Sequence, residues 1–381
     1  MTILATISIR SRFRQIFSLF IILLINFLFA FKYLSRNLEH AFIFSFLYIV
    51  ILLVTLLVSK EYIKLVNINL IYYSLLATYC IGHIILFHFI HVENLNVDRW
   101  SIISSFWENV FNHQYPYYAK SHMGNSPGPL PMYFLITLPF LLIHEIGLLS
   151  ILGLIVLTYH FRKTLTTSQA FTTLLLILLS ISVFWEISVR STILVNAVIF
   201  YICLYWLLNL DLKSVRNFWI SAILCGFVLS TRSLFILPLI MFGVYSLKNK
   251  LTSLKQITLW GVILFSSFSI TFFPIIFFYF HDFINVNPFN IQTEKLMPVI
   301  FIPVFIIIAV ILGYLCKNKT DILFSSGIIF FSVFIAYFFY KSFLIGFRVA
   351  YVNSYIDLSY ALFSLPFLLY SLSDKKLKPT N

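Results

Sequence analysis

Apolar runs long enough to cross about 30 Å of hydrocarbon recur from Gln15 to Leu372, and this recurrence constrains the fold more than any single motif. A backbone in lipid must pair its own N–H and C=O groups, so each run is expected to be helical. Of the 381 residues 61% are hydrophobic and 10% charged, and the mean hydropathy is +0.97, so water is not the solvent for most of the surface. The expected fold is all-α: a polytopic membrane protein forming a single integral domain over 1–381. There is no internal repeat of fixed period and no low-complexity linker.

Candidate spans fall at roughly 15–34, 41–58, 69–90, 130–160, 170–185, 192–208, 217–231, 233–247, 257–280, 299–316, 322–340 and 350–372, about twelve in all. The first follows Arg10, Arg12 and Arg14, as a signal peptide would. No small-residue cleavage site follows Phe31, so a retained helix is expected. The run 130–160 is long enough for two short helices, or for one crossing after a tilted segment, with a break near His144, Glu145 and Gly147.

Charge parity separates those options. With one net crossing there, the basic clusters from Arg10/Arg12/Arg14 through Arg162/Lys163 and Lys248/Lys250/Lys255 to Lys375/Lys376/Lys378 share one side, 17 of the 26 basic residues. The positive-inside rule then puts both termini in the cytoplasm, and abundant Phe, Ile, Leu, Asn and Lys point to an AT-rich bacterial genome, so the expected setting is a bacterial inner membrane. It gathers the loops 91–129, 186–191, around Arg232, 281–298 and 341–349, and Glu93, Asp98, Glu108, Glu186, Asp282 and Glu294, on the external face. Basic residues at helix ends are what orientation in a bilayer requires, so the net charge of +13 does not indicate nucleic acid as a partner. Cys80, Cys203, Cys225 and Cys316 are scattered singly, without the spacing of a zinc site or disulfide framework.

The stretch 91–131 is the one long polar segment. Within it Ile102, Ile103, Phe106, Trp107, Val110 and Phe111 recur at helical spacing, which predicts a short amphipathic helix lying in the headgroup plane, with Trp100 and Trp107 at the interface. Asp98 stands at its first turn. A carboxylate there can cap the helix, or it can take a proton from an incoming hydroxyl beside Arg99. Downstream, Tyr115, Tyr117, His122 and Asn125 lead into Pro127, Pro129 and Pro131, a re-entry turn whose aromatic, amide and hydroxyl groups also suit a sugar ring.

A large polar loop bearing an acidic residue, an in-plane helix, a Tyr-Pro-Tyr element and a Pro-rich return to lipid together resemble the GT-C superfamily of membrane glycosyltransferases. The resemblance covers the architecture of the whole chain, with its specific motifs confined to roughly 90–140. It implies transfer of a sugar from a polyprenyl-phosphate donor to a glycan, lipid or protein acceptor at the external face, with Asp98 as the essential carboxylate. Many members carry a paired Asp-Glu; here Arg99 follows Asp98, so neither a two-carboxylate version nor a metal or other cofactor is expected.

A lipid-phosphate donor needs cations for the departing phosphate. Arg232 interrupts two apolar runs, and Arg190, Lys341 and Arg348 are further candidates, although Glu186 and Arg190 have the spacing of a simple i,i+4 pair, and Lys341 and Arg348 that of interfacial anchors. Asp282, in the polar loop 281–298, is a substrate-binding candidate; its neighbour His281 is not at metal-ligand spacing from it. No nucleotide-binding glycine motif and no serine elbow is present. The competing function is a flippase or transporter of lipid-linked glycans, which would show two related halves and charges near the bilayer midplane. A glycan polymerase is the third, with a large loop late rather than early.

Overall fold

The structure, a computed structural model, describes residues 2–62, 68–296, 298–353 and 355–372. Every regular element among them is helical, with no strand. The chain opens with α1 (Thr2–Leu34), α2 (Ala41–Tyr62) and α3 (Ile68–Phe89), followed by the short α4 (Arg99–Phe111). Next come α5 (Pro131–Leu142) with α6 (Gly147–Thr164), and α7 (Thr167–Leu178) with α8 (Ile181–Ser188). Then follow α9 (Ile193–Asn209), α10 (Val215–Leu229), α11 (Ile236–Lys248) and α12 (Leu254–Ile270). The short α13 (Phe273–Phe278), α14 (Phe280–Asn285) and α15 (Pro288–Lys295) precede α16 (Phe301–Leu315), α17 (Lys319–Ile345) and α18 (Leu365–Ser371).

Among the described residues four helices are long and apolar enough to cross a membrane: Ser11–Leu34 of α1, Ala41–Val58 of α2, α3 and α17. The number rises to six if the bent pairs α5–α6 and α7–α8 each count as one span, and five shorter apolar helices stand beside them. The break in the long run falls at the residues that suggested it: α5 and α6 meet at 112°, with His144 at φ 60°. Gly147 lies against the Phe87 ring at one end of α3, and Arg162 donates to the Asn69 side chain at the other end, so α6 alone traverses the bundle. The run 350–372 is not one continuous helix. Asn353, Asp357, Ser359 and Ser364 break it into a π-turn (Arg348–Val352), a 3-10 turn (Leu358–Phe363) and the buried α18.

Small residues set the closest helix contacts. A Cβ on Gly226 would sit 2.3 Å from the Leu264 carbonyl oxygen, so α10 and α12 approach as only glycine allows. The greasy face of α4 is covered by protein except at Phe111, which is exposed: Phe106 stacks on Phe134 of α5, and Trp107 donates to the Phe134 carbonyl at 3.2 Å. Trp107 is therefore buried in a satellite core with Ile103, Tyr117 and Ile275, not exposed at an interface as the spacing suggested. Trp100 stacks on His122.

The ends of the bundle differ in charge chemistry. At one end Arg14 pairs with Asp321, Lys319 reaches the Asn209 side chain, and Lys248 donates to the carbonyls of Tyr314 and Cys316. At the other end, where α1 finishes at Lys32 and Tyr33, the chain leaves a cavity.

Candidate functional site

The cavity holds about 510 Å³ and is walled by segments far apart in sequence. Asp98, Arg99 and Asn125 come from the polar segment 91–131; Lys32 and Tyr33 from α1; Trp185 and Ile193 from α8 and α9. Arg232, Glu294, Tyr337, Asp357 and Tyr360 complete it from the later half of the chain.

Asp98 directly precedes α4, yet its side chain makes no capping bond. Its Oδ2 accepts instead from Ser121 Oγ at 2.7 Å and Asn125 Nδ2 at 2.6 Å, which ties the carboxylate to the Gly/Pro-rich loop. Both bonds go to one oxygen, so among the described residues Oδ1 has no protein partner. Gly124, at φ 79°, makes the turn that brings Ser121 and Asn125 to the same atom.

Arg99, the next residue, is a clamp rather than a free cation. It donates to Glu186 Oε2 at 2.8 Å, to Ser191 Oγ and to Asp357 Oδ2. Burial disfavours its charge, but the two carboxylates outweigh that and hold the guanidinium ionised. Glu186 is fully buried and also accepts from Ser359 Oγ, so it pairs across the fold and not with Arg190 four residues on. Asp357 keeps 41% of its side chain open to the cavity. Burial pushes its pKa up, and the Arg99 charge, the Arg99 hydrogen bond and Lys32 together bring it down to about 2.

Arg232 is the opposite case. It sits in an extended break between α10 and α11, only 9% exposed, with its guanidinium over the rings of Tyr133 and Tyr360 at 5.6 and 5.8 Å. Its Nε is buried without a partner, and no carboxylate lies within 4 Å of it among the described residues. Burying a guanidinium without a counter-charge costs several kcal/mol, so the geometry suits an anion from outside the chain.

The other candidates lie off the cavity wall. Arg190, at φ 55°, donates to the Phe87 carbonyl and to Glu145 and stacks on the Phe87 ring, joining α8 to α3 and α6. Arg348 is exposed in the π-turn, while Lys341 sits over Tyr337, Tyr340 and Tyr355, next to the cavity rim. Tyr115 and Tyr117 are buried and donate to the carbonyls of Val286 and Pro129. His122 meets Ser101 Oγ and the Leu95 carbonyl, bracing the turn that carries Asp98. Asp282 accepts from Tyr118 on the outer side of the loop.

Sequence reasoning put Glu294 on the external face without giving it a role, and missed Asp357, Lys32 and the tyrosines at 33, 133, 337 and 360 as cavity residues. The four polar residues that interrupt the run 350–372 were the signal for Asp357. No group of three or more His, Cys, Asp or Glu side chains among the described residues has the geometry to hold a metal ion. No protein-family profile matches the chain, and no curated protein or solved structure matches it either.

Proposed function

We propose that this chain is an integral membrane glycosyltransferase that moves a sugar from a polyprenyl-phosphate donor to an acceptor at the external face. One observation carries the reading: a carboxylate with a free oxygen and a buried, uncompensated guanidinium line the same cavity. In this scheme Asp98 Oδ1 accepts the proton of an acceptor hydroxyl while the acceptor oxygen attacks the anomeric carbon. The bond between that carbon and the phosphate oxygen breaks, and Arg232 holds the negative charge that the lipid phosphate gains. Arg99, engaged by two carboxylates, fixes the backbone beside Asp98 instead of contacting the donor.

The setting that goes with this chemistry is a bacterial inner membrane crossed about twelve times, with both termini cytoplasmic and the cavity outside. The gathering of Arg14, Lys248 and Lys319 at the end opposite the cavity supports that orientation. The test is Asp98→Asn, inserted and expressed at the normal level. Transfer from radiolabelled polyprenyl-phosphate sugar in membrane vesicles falls by about 10²–10⁴-fold, the range for losing a general base. Undiminished transfer sinks the proposal. In cells lacking the chain, mass spectrometry shows lost glycan with accumulated sugar lipid; sugar lipid trapped on the cytoplasmic side would support a flippase instead.

A further inference from the structure

Four non-glycine residues among those described have positive φ, and three of them, His113, His144 and Lys250, carry exposed side chains. Arg190, at φ 55°, turns its side chain inward and is only 2% exposed. It occupies the left-handed position that closes α8: its N–H donates to the Ile187 carbonyl at 3.0 Å, and the Ser191 N–H donates to the Glu186 carbonyl at 2.9 Å. Glycine is the usual occupant of that position, having no Cβ to strain. An arginine is kept there by what its side chain meets.

Nη2 donates to the Phe87 carbonyl at 2.7 Å and Nε to Glu145 at 3.4 Å, with the guanidinium 4.7 Å from the Phe87 ring centre. The turn is thereby anchored to the end of α3 and to the joint between α5 and α6. Each of the next three residues then reaches the cavity wall or a group that lines it. Ser191 Oγ accepts from Arg99, Thr192 Oγ1 is bonded to the Tyr133 hydroxyl, and Ile193 is part of the wall. The backbone leading into Arg232 is held from α5, where the N–H groups of Leu130 and Met132 donate to the Thr231 and Ser230 carbonyls at 3.3 and 3.1 Å. Its guanidinium depends on side chains instead: it lies over the Tyr133 ring, whose hydroxyl is tied to Thr192.

Resting on the phosphate reading above, we infer that Arg190 is a positioning residue for the anion site. By pinning the turn 190–192 it holds the Thr192 hydroxyl on Tyr133, and so fixes the ring beneath the Arg232 guanidinium. It acts at one remove and touches no ligand.

The test is calorimetric titration of the full chain in lipid nanodiscs with glucose 1-phosphate. Arg190→Gly keeps the left-handed turn without its anchor and weakens binding about tenfold; Thr192→Val, which keeps the shape and removes the hydroxyl, does the same. The double variant binds no more weakly than Arg190→Gly alone, because both changes cut one route. Losses that multiply in the double variant, or wild-type affinity in either single variant, overturn the inference. Arg190→Gly with a lowered unfolding temperature and unchanged affinity would make Arg190 a structural pin and nothing more. Arg232→Met weakens binding by itself. A ligand indifferent to Arg232→Met, or one that does not bind at all, overturns both the inference and the phosphate reading beneath it.

Discussion

Arg99 is held by two carboxylates at once, and the more buried of them has nowhere else to go. In Arg99→Met, Glu186 keeps only the Ser359 hydroxyl in a water-excluded setting, so the variant loses about 3–5 kcal/mol, the usual result of stripping one partner from a buried pair. Thermal unfolding in detergent reads this directly. Asp357 adds a pH signature. Its folded pKa is depressed to about 2, so its contribution is complete above the unfolded value of about 4 and fades as pH falls from there through 2. The stability gap between wild type and Asp357→Asn is therefore constant above about pH 4 and closes below it; a gap that changes between pH 5 and 8 would contradict the bridge. At this scale the sequence made Asp98 legible as an acid at the head of an amphipathic run, and Arg232 as a charge inside an apolar context. It hid the partner of Glu186: local spacing offered Arg190, and only the assembled fold brings in Arg99 from 87 residues away.

Among the elements, the helices of simple apolar runs were readable and the irregular joints were not. The limits of α2 and α3 follow from unbroken hydropathy, and the bend between α5 and α6 from the polar residues at 144 and 145. The segment 350–372 looked continuous because its apolar content conceals how few polar residues suffice to turn a buried chain, each of them needing partners that the bend supplies. The polar segment predicted α4, but not that its apolar face is covered by α5. The contact of α10 with α12 yields a prediction of its own: Gly226→Ala forces the helices apart and costs about 1–3 kcal/mol, the range for overpacking. Since α10 leads into Arg232, the same variant also loosens binding of an anomeric phosphate, which titration alongside the unfolding measurement checks.

For the whole molecule, the claim that matters is which side of the membrane holds the cavity. A cysteine placed at Asn96, beside Asp98 on the cavity wall, reacts with an impermeant maleimide in intact spheroplasts, while one at Asn209 reacts only after lysis. The four native cysteines are buried or half-buried, so background labelling stays low. Reversal of the pattern would put the site in the cytoplasm and end the case for a polyprenyl-linked donor reaching it from outside. Charge parity yields an expected orientation, because lipid imposes it on every loop at once; the cavity was not legible, because nothing local links its walls.

Those walls have a consequence for how the protein is made. Residues 32 and 33 emerge from the ribosome first and residues 357 to 360 near the end, yet all line the same hollow. Until the last of them is delivered, Arg99 has one acidic partner instead of two, and the floor beneath Arg232 is open. A chain stalled after α17 is thus an unfinished vessel with stranded charges.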